Sequence, residues 1–351
     1  MRIAWSAAQA RSAAYALRVG AAASMLAACN AGGQPAGPLT RLQSSTSWVS
    51  PEARRAPRLL FVSDEAANDV DIFSMPQLDL KGQITGFSEP RGLCSDTSGN
   101  IWVTNFGTRQ ILKLSRAGAI IETLNDPDGF PNGCAVDPST GDLAVANIVN
   151  QALSGSGEVE IYPHGAGKPM SLDNPNQTFY DFVGYVPGSS KLNAHGVAPG
   201  ELFVDGQTKN RKFILSVLVS GTTVFHTVKL KGGTIYFPGL VQWYEPGNYL
   251  AVGDARCNHV RSACIYQIKI GKTGTIVGHT SLSNHLGGPV CDLHQGVIGA
   301  NGLRYVAGGD DENPCGSVST ENRWAYPAGG TPTNFNDMVV SQPFGAAIST
   351  K

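Results

Sequence analysis

Side chains able to do nucleophilic, ligating or proton-transfer chemistry are sparse in this 351-residue chain, which has seven Cys and seven His. No Cys-x-x-Cys and no His-x-x-x-His occurs, so the usual structural and catalytic zinc spacings are missing. A Gly-x-Ser-x-Gly elbow and a His-Glu-x-x-His helix are missing too. "GKT" at Gly271–Thr273 has Tyr266 where a phosphate loop needs its first glycine. The acidic runs "NDPDG" (Asn125–Gly129) and "DDEN" (Asp310–Asn313) have a calcium-loop flavour without the length and closing Glu of such a loop. No metal and no cofactor is expected from these patterns. With 26 basic and 27 acidic residues, the chain has no basic field to attract nucleic acid.

Cysteine placement is more informative. Arg2, Arg11 and Arg18 precede the apolar run "VGAAASMLAA", which stops at Cys29. A charged stretch followed by a short apolar one reads as an export signal, and it is too short to span a membrane. The ending "LAAC" resembles a bacterial lipobox, which implies a signal over residues 1–28 and a lipid on Cys29. Asn30 follows in place of the Asp associated with inner-membrane retention, which favours the outer membrane or cell surface. Removing the signal's three Arg leaves 23 basic against 27 acidic residues, a net charge of −4. Residues 29–56, rich in Gly, Ser, Pro and Ala, read as a flexible tether. The expected location is extracytoplasmic, with the membrane reached through the lipid and the chain a monomer.

Six Cys remain, an even number that an oxidising compartment would pair, though six allow fifteen connectivities. Cys257 and Cys264 flank "NHVRSA" and could close a hairpin loop; Cys94 with Cys134 and Cys291 with Cys315 are further candidates.

The elements that would position any site come from a repeat. "GLCSDTSGNIWVTN" (Gly92–Asn105) runs glycine, apolar strand, polar turn, apolar strand, Asn. The form recurs from Gly133 to Asn147, Gly196 to Asp205, Gly239 to Asp254 and, more loosely, Gly296 to Asp310. "FGAAISTK" at the C-terminus supplies only the first strand of a sixth copy, and "RLLFVSD" (Arg58–Asp64) only the second. Each copy is followed by a further pair of alternating strands, irregular in "KFILSVLVSGTTVFHTVKLKGG". Four-stranded units of this length are propeller blades, and pairing the last strand with the first closes the ring and removes exposed edges. The fold expected over 57–351 is an all-β, six-bladed β-propeller of four-stranded antiparallel blades.

These phrases resemble the NHL/SMP-30-type six-bladed propellers, and "EPRGLCSDTSGNIWVTN" with "VEIYPHGAGKP" is similar to uncharacterised exported bacterial lipoproteins carrying NHL-like repeats. The resemblance implies a ligand site at one mouth of the central tunnel. Residues just before each starting glycine would line it: Arg91, Asn132, His195, Pro238, Gln295 and Phe344. Of these, Arg91, Asn132, His195 and Gln295 are the candidate ligand contacts, since unlike polar groups on a repeating frame are where function is grafted. The acids and amides ending each second strand (Asp64, Asn105, Asn147, Asp205, Asp254, Asp310) read as turn-formers that bind backbone N–H groups. SMP-30-like lactonases hold a divalent metal with mouth carboxylates, and this ring offers none. The expectation is a binding or scaffolding protein for a small molecule, glycan or protein. The alternative is a hydrolase or a streptogramin-lyase-like enzyme using His195 or His294 as base.

Overall fold

The computed structural model describes residues 46–351 apart from 127, 154, 189–196, 258–261 and 300–302. It is a six-bladed β-propeller. Each blade has four antiparallel strands that follow the chain from the tunnel outward. The inner strands are Pro343–Thr350, Pro90–Ser95, Gly129–Val136, Phe179–Tyr185, Pro238–Tyr244 and Val297–Ile298, for blades one to six. Blade one is the composite: Pro343–Thr350 pairs with Arg58–Asp64 from Arg58↔Thr350 to Asp64↔Pro343, so the two ends of the domain close the ring.

Alternation explains why the second strands are buried on both faces. In Arg58–Asp64, Leu59 and Phe61 enter the core shared with blade two, while Leu60 and Val62 enter the core shared with blade six. The pattern repeats around the ring, giving one hydrophobic cluster between each neighbouring pair of blades. Trp102 and Val103 divide in the same way, Trp102 facing blade three and Val103 facing blade one. Each buries an apolar surface that no single twisted blade could cover alone.

Two blades carry an extra strand. Trp48–Val49 pairs with the outer strand Leu80–Thr85 of blade one, and Ala53 is fully buried behind it. The fold therefore begins inside the stretch read from composition as tether. Gly82 permits this, because a Cβ there would lie 2.8 Å from the Trp48 carbonyl oxygen. In blade four the irregular segment forms Phe213–Leu218 and Phe225–Thr227, then crosses over. Leu230–Lys231 joins the outer edge of blade five in parallel with Gly274–Thr275.

Blade four also departs from the expected repeat. Its inner strand is Phe179–Tyr185, and its second strand is Leu202–Gln207. The segment beginning at Gly196 thus supplies the approach to a second strand and no inner strand. All three expected disulfides form. Cys94–Cys134 ties the inner strands of blades two and three, Cys257–Cys264 closes a loop of blade five, and Cys291–Cys315 joins two loops of blade six. Bridges of this kind persist in oxidising compartments. Among the described residues no helix is long and apolar enough to cross a membrane. The signal segment, Cys29 and the tether up to residue 45 lie outside the described residues.

Candidate functional site

At the mouth where the inner strands begin, equivalent positions can be followed from blade to blade by contact. A Cβ on Gly92 would meet the Asn132 carbonyl and Gly133, and one on Gly133 would meet the Asp181 carbonyl and Phe182. Gly184 abuts the Val241 carbonyl, and Gln295 forms a parallel bridge with Gly345. The ring just before this glycine level is therefore Phe344, Arg91, Asn132, Asp181, Gly239 and His294. Arg91, Asn132 and Phe344 stand where the repeat places them. The position assigned to His195 is held by Asp181, because Phe182 replaces the marker glycine in blade four. His195 lies outside the described residues. Gly239 replaces Pro238, and His294 replaces Gln295, each by one residue of register.

The ring is bonded to itself. Arg91 Nε and Nη2 donate to Glu65 Oε1 at 3.1 and 2.8 Å, and Nη1 donates to Asn132 Oδ1 at 3.1 Å. Asn132 Nδ2 in turn donates to the Asp181 carbonyl at 3.1 Å. The Arg91 guanidinium lies 3.5 Å from the Phe106 ring centroid and 5.3 Å from that of Phe344. Phe344 stacks on His294 with centroids 4.5 Å apart and planes 10° from parallel. His294 has carboxylates on both sides, Asp292 at 3.7 Å and Asp311 at 4.0 Å, beyond hydrogen-bond length. Arg91 is thus a fixed, neutralised cation, its donors taken up by Glu65 and Asn132.

Asp181 differs from its neighbours. Burial raises its carboxyl to about 7, against the pull of Arg211, Arg91 and His294. The residue is half-buried. A carboxyl poised near neutrality can accept or deliver a proton.

Gln295 does different work from that expected. Its Oε1 accepts from Leu93 N at 2.9 Å and its Nε2 donates to Leu93 O at 3.0 Å. A side chain of blade six thereby clamps the inner strand of blade two, past Gly345 of blade one, with both amide atoms spent on backbone. Beyond it, toward the opposite end of the inner strands, lies a cavity of about 230 Å³ lined by Ser95, Val136, Tyr185, Tyr244 and Gly299 among others.

Outside the ring sits a rim that sequence spacing did not reveal. Phe130, Phe179 and Phe237 occupy one equivalent position in blades three, four and five. Each is half-exposed and faces an arginine: Arg109 at 5.9 Å, Arg211 at 3.8 Å and Arg256 at 5.2 Å. The partners come from separate loops, so no local motif announces them.

The acids and amides ending the second strands hold the loops that deliver these groups. Asp64 accepts from the amides of Ser341 and Gln342 (2.5 and 3.1 Å), and Asn105 accepts from that of Ser88 at 2.7 Å. Asp205 accepts from Phe182 N and Gly239 N (2.9 and 3.1 Å), and Asp254 from Tyr236 N and Phe237 N (2.9 and 3.0 Å). Asp310 Oδ1 accepts from Cys291 N at 2.8 Å and Asp292 N at 3.3 Å. Their reading as turn-formers holds in five blades; in blade three Asn147 Nδ2 donates to Asp126, which accepts from Gly129 N at 3.0 Å.

No protein-family model and no curated protein matches the sequence. Solved structures do. A chain of the nidogen–laminin complex superposes with a TM-score of 0.59 at 9% identity, covering 83% of this chain and 98% of that one. A protein of unknown function from Bacteroides caccae superposes with a TM-score of 0.59 at 13% identity, covering 84% and 100%. Kuenenia stuttgartiensis hydrazine synthase gives 0.53 at 12% identity, covering 83% and 80%. The likeness is one of fold alone.

Because burial lifts Asp181 above the ordinary carboxylate range, it costs no stability below about pH 4. The cost grows as pH rises toward 7 and is level beyond. Asp181→Asn is expected to match wild type at pH 4 and to be more stable at pH 8 by on the order of 2 kcal/mol, after halving for water access to the tunnel. Urea unfolding at the two pH values measures this; equal stability differences at both would show that Asp181 is not held near neutral.

Proposed function

We propose that the chain is a lipid-anchored, extracytoplasmic β-propeller that binds a small anionic ligand, such as an acidic saccharide, at the tunnel mouth. The observation that carries this reading is the rim of three arginine–phenylalanine pairs set around a ring of unlike polar groups. Arginine supplies a planar, always-charged fork for a carboxylate, and the half-exposed rings supply flat apolar faces for a sugar or aromatic body. The mouth is pre-organised, since its loops are pinned by buried acceptors and one is closed by Cys257–Cys264, so little ordering entropy is lost on binding. The NHL/SMP-30 resemblance supports a mouth-centred site, and the three disulfides support export.

A second reading rests on Asp181. A carboxyl that titrates near 7 on the same ring as His294 offers a proton acceptor for abstraction, as in a lyase. Of the two bases the sequence offered, His294 stacks on Phe344 in the ring, and His195 lies outside the described residues.

Binding of galacturonate oligosaccharides, read by isothermal titration, is expected to weaken as salt rises, and to fall at least tenfold in the double variant Arg211→Ala/Arg256→Ala. Equal affinity in wild type and double variant would refute the rim as the anion site. For the anchor, Cys29→Ala is expected to move the protein from the membrane pellet to the soluble fraction, whereas continued membrane retention would refute lipidation.

A further inference from the structure

Blade three departs from its neighbours at one point: its strand-end residue, Asn147, is not a loop clamp but part of an oxygen-lined pocket. Asp126, Asn147 and Glu160 are each no more than 1% exposed. Three of their oxygens, Asp126 Oδ2, Asn147 Oδ1 and Glu160 Oε1, make no hydrogen bond. The other atoms of these groups are fixed. Asp126 Oδ1 accepts from Gly129 N at 3.0 Å and Asn147 Nδ2 at 3.2 Å, and Glu160 Oε2 accepts from Tyr162 Oη at 2.6 Å. Asn147 Nδ2 also lies 3.4 Å from Glu158 Oε1, which brings a third, half-buried acid to the edge of the pocket. Asp128, exposed, stands beside them.

A buried oxygen without a donor costs about 1–3 kcal/mol, more when charged. Buried carboxylates therefore come with a cation or a proton. Among the described residues, none of Asp126, Asp128, Glu158 and Glu160 forms an ion pair with Lys, Arg or His. Instead, after burial itself, acidic neighbours raise these groups above the ordinary carboxylate range: Asp128 acts on all three, Asp126 on Glu158 and Glu160, Glu158 on Glu160, and Asp173 on Glu158. A proton shared between Asp126 and Glu160 would satisfy those two groups and leave the Asn147 carbonyl oxygen bare. A hard cation would satisfy all three.

The backbone is shaped around this arrangement. A Cβ on Gly129 would fall 2.3 Å from the Asn147 amide carbon, and one on Gly157 would fall 1.8 Å from the Asn147 carbonyl oxygen. Glycine at both positions lets two chain segments close on Asn147.

We propose that Asp126, Asn147 and Glu160, with Glu158 at the solvent edge, form an off-axis binding site for a hard divalent cation of the calcium class. The donors are all oxygen, mixed between carboxylate and amide and drawn from three segments. That suits calcium, which accepts irregular sets of six to eight oxygens, better than magnesium, which demands a compact octahedron. Water completes the shell through the side open at Glu158 and Asp128. The ion would tie the loop carrying Asp126, which leads to rim residue Phe130, to the second and third strands of blade three.

The full-length protein in detergent, stripped with a chelator, tests this with calcium chloride and with terbium chloride as a luminescent substitute. One equivalent of calcium is expected to bind, to raise the thermal midpoint, and to displace terbium whose emission is excited through the neighbouring Tyr162. Glu160→Gln and Asp126→Asn, which keep shape and most hydrogen bonds, are expected to weaken calcium binding at least tenfold. Should either fail to fold by circular dichroism, Glu158→Gln carries the comparison, with binding expected to weaken measurably. No stoichiometric calcium uptake by wild type, or uptake unchanged in the folded variants, would overturn the site and assign the pocket to a shared proton.

Discussion

One interaction recurs in five of the six blades and the mouth depends on it: a buried acid or amide at the end of the second strand accepts backbone N–H groups of a loop feeding an inner strand or of a register shift within one. Asp64, Asn105, Asp205, Asp254 and Asp310 all do this. Each such loop leaves its strand ladder at a register shift in blades one, two, four and five, so its amides have no sheet partner and would otherwise be orphaned. Hydrogen bonds to ionised acceptors are worth roughly twice neutral ones, which offsets part of the cost of burying the charge. That cost is visible in Asp205, Asp254 and Asp310, whose carboxyls burial raises above their ordinary range. Asparagine at position 105 supplies an acceptor without adding a charge to the ring.

Pinned loops are what allow the mouth residues to differ from one another. The frame is satisfied by backbone, strand-end side chains and inter-blade cores, so the residue ahead of the glycine level is free to be Arg, Asn, Asp, Gly, His or Phe. Arg91 and Asn132 are then spent on holding the mouth together, as is Gln295 one level deeper. Asp181 and the arginine–phenylalanine rim are the groups left for the ligand proposed above.

The fold was legible because its requirements are local and repeated. Glycine is needed where inner strands crowd, apolar alternation where a strand faces two cores, and Asp or Asn where a loop must be clamped. Reading failed where a different residue met the same requirement. In blade four Phe182 occupies the crowded level and packs against Phe344 with ring centroids 6.0 Å apart, so the true inner strand lacked its glycine marker and Asp181 went unseen. In blade six Gln295 takes that level and shifts the frame by one, so Gln295 was read into the ring position that His294 holds. Trp48–Val49 escaped because a two-residue strand leaves no periodicity in a Gly- and Ser-rich stretch. The rim escaped because Arg211 and Phe179 meet only after the chain has folded, from positions with no sequence relation.

Amide hydrogen exchange on the full chain tests the clamped mouth most directly, read at Phe182, Phe237, Gly239 and Asp292. Phe237 and Asp292 lie in loops that feed inner strands, and Phe182 and Gly239 lie at register shifts where the ladder pairing is interrupted; rapid exchange is the default at such sites, yet each amide donates to a buried strand-end carboxylate. Protection as strong as that of the central strand amides of the same blades is the expected result. Exchange as fast as in the exposed outer turns would contradict it, and with it the claim that a clamped frame presents a pre-organised site.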